Sequence, residues 1–103
     1  MHHAVRLYAL STCSRCRETK KLLEKRRVDY QATDVDLLKF DELKATVKDI
    51  SKFNPECSFP TAVIGKEVIV GYREKEILRA LDSLESPIIR FIKQILQKLV
   101  PYR

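Results

Sequence analysis

The stretch Ala4-Val5-Arg6-Leu7-Tyr8-Ala9-Leu10-Ser11-Thr12-Cys13-Ser14-Arg15-Cys16 changes character twice within thirteen residues. Ala4 to Leu10 is short and mostly apolar, the pattern of a buried strand. Ser11 and Thr12 supply helix-start chemistry, because hydroxyl oxygens accept hydrogen bonds from the free amides of a first turn. Cys13 and Cys16 then stand three residues apart, at the junction of that strand and a predicted helix. The helix is expected from about Ser14 to Arg27, a segment without Gly or Pro. Cys16, the Thr19 methyl, Leu22 and Leu23 recur at three- and four-residue spacing and make one narrow buried stripe.

Outward from this stretch the order of elements is regular. Val28 to Val35 alternates as a second strand. Asp36 is expected to cap a helix over Leu37 to Lys52, with Leu38, Leu43, Val47 and Ile50 inward. Pro55 and Pro60 make the segment from Asn54 to Pro60 a loop. Thr61–Ile64 and Val68–Val70 read as strands joined by the short turn Gly65-Lys66-Glu67. Arg73 to Leu84 reads as a helix with Ile77, Leu78, Leu81 and Leu84 facing in, and Ser86-Pro87 starts another. Strands joined through a helix run parallel, while the late pair is antiparallel. The expectation is an α/β fold: a four-stranded mixed sheet with helices on both faces.

Composition narrows the class. At 103 residues, 45% apolar and 33% charged, the chain has room for one domain with a modest core. Three cysteines cannot all pair within one chain, which argues against a secreted disulfide scaffold. No apolar run reaches the roughly 18 residues that a membrane span needs, and no signal-peptide pattern opens the sequence. A reducing cytoplasm is the expected location. The net charge of +6 has two sources. Seven basic residues oppose two acidic ones between Cys13 and Arg27, and no acid follows Glu85. The basic residues have little aromatic interleaving and no nucleic-acid-binding signature, so no nucleic-acid partner is expected. A basic early helix would attract anionic thiols or acidic protein partners.

The chemistry lies in Cys13 and Cys16. A C-x-x-C pair near a βαβ pattern in a reducing compartment reads as a redox dithiol. First-turn amides, the helix dipole, Arg15 and Arg17 would all favour thiolate at Cys13, and the thiolate is the nucleophile. Cys13 is therefore the expected attacking sulfur, and Cys16, one turn on, the buried resolving one. Other readings use the same residues. A zinc site needs about four ligands, and only Cys57, His2 and His3 stand beside the pair. A metal cluster shared between two chains, a thiol-ligand binding module without turnover, or a redox-responsive regulator would each need Cys13 but no dithiol cycle. No metal residues are assigned.

The ordered motifs Tyr8-Ala9-Leu10-Ser11-Thr12-Cys13-Ser14-Arg15-Cys16, Ser58-Phe59-Pro60-Thr61 and Val70-Gly71-Tyr72 resemble the glutaredoxin-like branch of the thioredoxin fold. The resemblance covers roughly residues 4 to 84, so 1–84 is taken as a glutaredoxin-like domain and 85–103 as an added basic amphipathic helix. It implies a thiol–disulfide oxidoreductase acting as an electron carrier, with no tightly bound cofactor. It also implies that Pro60 is cis and lies against the cysteines, and that the Phe59 backbone pairs with a bound thiol peptide. Phe59, Pro60, Gly71 and Tyr72 thus become the expected thiol or peptide groove. Substrates would be disulfide-containing proteins or small thiols, and the electron donor a reductase or glutathione.

The chain departs from the common glutaredoxin pattern at three places. Ser14-Arg15 replaces the usual Pro-Tyr, Leu10 stands where a glutathione-contacting Lys is common, and Val70-Gly71-Tyr72-Arg73 replaces Gly-Gly with a nearby Asp. A glutathione carboxylate would lose two charge-assisted contacts, each worth roughly 1.5–3 kcal/mol. The Gly-aromatic-Arg run looks more like the redoxins that reduce ribonucleotide reductase and are recharged by thioredoxin reductase.

Three other features stand out. Cys57, three residues before Pro60, is either a small semi-buried residue or a third thiol that pairs with Cys13 or a small thiol. Tyr8 is either core or groove. In the segment 87–100 an apolar face that includes Phe91, Ile92 and Ile95 opposes Arg90, Lys93 and Lys98. Packing on the same domain, homodimerisation and contact with an anionic membrane surface all suit it.

Overall fold

Apolar alternation places β1 (Val5–Ala9) at the centre of the molecule, where Val5, Leu7 and Ala9 are almost fully buried. The computed structural model describes residues 4–84 together with 95 and 96. After β1 come α1 (Ser14–Lys25), β2 (Tyr30–Asp34), a 3-10 turn (Val35–Leu37) and α2 (Phe40–Phe53). The chain then forms β3 (Thr61–Ile64), β4 (Glu67–Val70) and α3 (Glu74–Leu84). The sheet order is β2-β1-β3-β4. β1 runs parallel to β2, with Val5 opposite Tyr30 and Ala9 opposite Asp34. It runs antiparallel to β3, with Tyr8 opposite Thr61, and β3 and β4 are antiparallel. This is the expected mixed sheet.

The period-2 alternation of the strands divides the core in two. On one face Val5, Leu7, Ala9, Ala62, Ile64 and Ile69 meet Cys16, Leu22 and Leu23 of α1 and Ile77, Ala80 and Leu81 of α3. On the other, Tyr8 and Val63 meet Val35 of the 3-10 turn and Ile50 of α2. Tyr8 is core, its ring 5.9 Å from that of Phe53. Buried Thr19 satisfies its hydroxyl by donating to the Arg15 carbonyl at 2.9 Å.

Several boundaries differ from the sequence reading for local reasons. α1 stops at Lys25 rather than Arg27, because Arg27 enters the left-handed region at φ 56°. There the Arg27 amide donates to the Glu24 carbonyl and the Val28 amide to the Leu23 carbonyl, a helix-closing pair that glycine usually makes. Arg27→Gly is expected to stabilise the protein by up to about 1 kcal/mol, since the left-handed penalty of about 1–2 kcal/mol exceeds the entropy cost of glycine. A raised urea midpoint at unchanged m-value would show it; an unchanged or lowered midpoint would contradict it.

Asp36 does not cap α2. The helix starts later, at Phe40, with Lys39 before it and no side-chain cap. Val47 and Leu84, expected inward, are 37% and 42% exposed. α2 buries only Ile50 fully and so presents a narrower stripe than its apolar spacing suggests. Leu84 instead lies over the β3–β4 turn, where a Cβ on Gly65 would come 2.8 Å from Leu84 Cδ2. That turn needs glycine on a second count, its φ of +61°. The expected helix over 87–100 lies outside the described residues except for Ile95 and Leu96, which are helical.

Candidate active site

β1 ends at Ala9 and the chain turns at once, the Cys13 amide donating to the Leu10 carbonyl at 3.2 Å. Ser11 and Thr12 form the tip of this turn. Ser11 does not cap α1. Its amide donates to Asp36 Oδ1 at 2.8 Å and its hydroxyl to Asp36 Oδ2 at 2.5 Å, which fastens the turn to the segment after β2. These two hydrogen bonds hold the Asp36 carboxyl below its ordinary value. The N-cap of α1 is Cys13 itself, in extended conformation, with its Sγ accepting the Cys16 N–H at 3.1 Å. A sulfur thus occupies the place usually taken by a Ser or Asp oxygen. Cys16 is fully buried, and its Sγ accepts the Leu10 N–H at 3.5 Å.

This arrangement separates the two thiols electrostatically. Burial works against charge at Cys13. Hydrogen bonds from the Cys16 side chain and amide, the Arg15 amide and the Arg17 charge outweigh it and lower the Cys13 thiol. Burial, with the hydrogen bond to Cys13, pushes Cys16 up to about 11. Alkylation of Cys13 is therefore expected to reach half its maximal rate below the ~8.5 of a free thiol. The rate should fall as pH drops through that lowered value, because only the thiolate reacts. Iodoacetamide labelling followed by peptide mass mapping, from pH 4 to 10, checks this. A midpoint for Cys13 at or above ~8.5 would contradict it.

Two of the other expected site residues share a core cluster with the pair, and the remaining two adjoin them in the chain. Phe59 and Tyr72 are half-buried and pack on the cluster that contains Cys16, as does Cys13. The Phe59–Pro60 peptide is cis. The buried Pro60 accepts the Gly71 N–H at 2.8 Å, which joins the two loops through their backbones. Gly71 has φ +90°, and a Cβ there would meet nothing within 4 Å, so the space beside it is open. The Tyr72 hydroxyl donates to Glu74 at 3.5 Å. Burial, Glu74 and Glu18 raise its titration.

Cys57 is not part of this group. It packs against the Tyr8–Ile50 cluster on the other face, with φ 50° and its thiol donating to the Val47 carbonyl at 3.9 Å. Among the described residues no three His, Cys, Asp or Glu side chains gather as a metal site, and no helix is long and apolar enough to cross a membrane.

One residue beside the site escaped the sequence reading. Asn54, only 5% exposed, donates from Nδ2 to the Ser58 carbonyl at 3.1 Å, to Ser58 Oγ at 3.3 Å and to Thr61 Oγ1 at 2.9 Å. Thr61 Oγ1 donates in turn to the Ser58 carbonyl at 2.6 Å. The available signal was three small polar residues, Asn54, Ser58 and Thr61, flanking a loop between two apolar elements.

The glutaredoxin family model matches residues 5–69, more than half of the chain. The chain belongs to the glutaredoxin family. Among solved glutaredoxin-like structures, the methanoredoxin of Methanosarcina acetivorans is 45% identical at TM-score 0.72, over 75% of this chain and 82% of that one. The glutaredoxin grx-1 of Archaeoglobus fulgidus is 28% identical at TM-score 0.73, over 77% of this chain and 86% of that one. An uncharacterized glutaredoxin-like 8.6 kDa protein in the rubredoxin operon of Clostridium pasteurianum is 24% identical over 79 residues, which span 77% of this chain and 99% of that protein. The fold is thus the thioredoxin-like fold of glutaredoxins, and the family supports a function of the thiol oxidoreductase type.

Proposed function

We propose that this glutaredoxin-family protein reduces disulfides through a Cys13–Cys16 dithiol cycle. One observation carries the reading: the Cys13 sulfur sits at the start of α1 and accepts the Cys16 N–H, with Cys16 buried behind it. The lowered Cys13 thiol is the sulfur that ionises first. Its thiolate attacks one sulfur of a substrate disulfide, the substrate S–S bond breaks, and the leaving thiolate takes a proton. Cys16 keeps its own proton until this point, since its titration lies at about 11. It then gives up that proton and attacks Cys13 Sγ. A Cys13–Cys16 disulfide forms, and the substrate departs reduced by two electrons. An external donor, a reductase or glutathione, returns the two electrons and the protons.

Phe59, Pro60, Gly71 and Tyr72 bind the substrate chain beside Cys13. The open space at Gly71 and the half-buried rings of Phe59 and Tyr72 suit an extended peptide or small thiol. Arg15 and Arg17 favour substrates with acidic groups near the disulfide. The work is done in a reducing cytoplasm. Reduction of insulin and of hydroxyethyl disulfide, driven first by glutathione with its reductase and then by thioredoxin reductase, tests the function. Turnover with either donor supports it. No turnover with both, together with metal in the purified protein, would overturn it.

A further inference from the structure

Asn54 closes the C-terminus of α2, its own amide donating to the Ile50 carbonyl at 2.7 Å. Its carbonyl accepts the Cys57 N–H at 2.9 Å. The side chain then reaches over the loop to Ser58 and Thr61. The Ser58 carbonyl can only accept, so the nitrogen end of the Asn54 amide faces it. Thr61 Oγ1 gives its proton to the same carbonyl and keeps a lone pair for Asn54 Nδ2. Asn54 Nδ2 and the Thr61 hydroxyl thus both donate within the set, and Asn54 and Thr61 are both out of water. Buried networks of this kind are stiff when complete and costly when broken.

The two residues tied down, Ser58 and Thr61, flank Phe59 and Pro60. Phe59 packs on both core clusters, so it straddles the Cys13 face and the α2 face. We propose that Asn54 is a positioning residue that fixes Phe59, through Ser58 and Thr61, on the core cluster it shares with Cys13, for the docking of the substrate chain. This rests on the proposed dithiol function, and it assigns part of the site to the end of a helix on the opposite face of the sheet from Cys16.

Three kinds of variant test it. Asn54→Ala removes the donor. Thr61→Val removes the hydroxyl and Thr61→Ser restores it. Ile50→Val, on the same helix, is a control for lost stability alone. The readouts are KM and kcat for a disulfide-bearing peptide, the alkylation rate of Cys13, thermal unfolding, and hydrogen exchange at the Phe59 amide. Asn54→Ala and Thr61→Val are expected to raise the peptide KM roughly tenfold or more and to speed Phe59 exchange, because small misplacements at a site carry large kinetic costs. Cys13 alkylation should stay within twofold. Thr61→Ser should behave as wild type, and Ile50→Val should lower the melting temperature without moving KM.

An unchanged KM in Thr61→Val, or the same KM rise in Ile50→Val, would overturn the assignment. If Asn54→Ala does not fold, the Thr61 pair decides. Absence of turnover in the wild-type protein would sink the proposed function instead, and the exchange rates would then decide whether Asn54 holds Phe59.

Discussion

Replacing Cys13 by serine is expected to reduce disulfide turnover to the level of buffer alone, while replacing Cys16 by serine stalls the protein as a covalent adduct with its substrate. The two outcomes differ because the two sulfurs act at different steps of the proposed cycle. Cys13, at the α1 N-cap, is the thiol whose titration is lowered, and a serine hydroxyl in its place supplies no thiolate. Without it the first bond never forms. With Cys16 gone, Cys13 still attacks, but nothing buried behind it releases the adduct. Non-reducing mass spectrometry should show the Cys16→Ser protein heavier by one substrate thiol. Glutathione in excess should slowly clear that adduct. Full activity in the Cys13 variant would remove Cys13 from the chemistry. Full dithiol-type turnover in the Cys16 variant would remove Cys16 and point to a single-cysteine cycle.

The second large effect concerns stability. Leu7→Ala is expected to cost about 2–5 kcal/mol. Leu7 lies on the central strand with no exposed surface, inside the cluster that joins the sheet to α1 and α3. Truncation there leaves a void that flanking strands on both sides keep open. Domains of this size hold about 5–15 kcal/mol in all, so the loss is a large share of the total. The melting temperature should fall by upwards of about 10 °C. A fall of less than about 3 °C would mean that the core closes over the gap. The same substitution at Leu37, which is 68% exposed, should change stability by less than about 0.5 kcal/mol and serves as the contrast.

Much of the fold was readable because its signals are local. The apolar run before Cys13, the gap-free helical stripe after it and the Gly65 turn each announce themselves within a few residues. The errors fell where a partner lies far along the chain. An Asp just before a helical pattern reads as a cap, yet Asp36 is taken by Ser11, which stands 25 residues away. The end of α1 was misplaced because Arg27 adopts a conformation that its side chain gives no hint of. At the candidate site, the cysteine pair was legible from spacing and placement. Phe59, Pro60, Gly71 and Tyr72 were expected only through family resemblance, since nothing in their periodicity brings two separate loops together. Asn54 looked like a loop residue because polar type and nearby prolines mask burial. Only the folded arrangement puts its amide over Ser58 and Thr61.

The unequal thiols at the N-terminus of α1 have an electrochemical consequence. Between the lowered titration of Cys13 and the value of about 11 for Cys16, the reduced pair carries one proton and one negative charge. Forming the disulfide then releases two electrons but only one proton. A two-electron, one-proton couple shifts by about 30 mV per pH unit, half the slope of a pair that starts with both protons. Against a donor that gives up a proton with each electron, this protein becomes relatively harder to reduce as the medium is made more acid and relatively easier as it is made more alkaline. The hydrogen bond from the Cys16 amide to Cys13 thus helps to set how the potential of the proposed dithiol couple responds to pH.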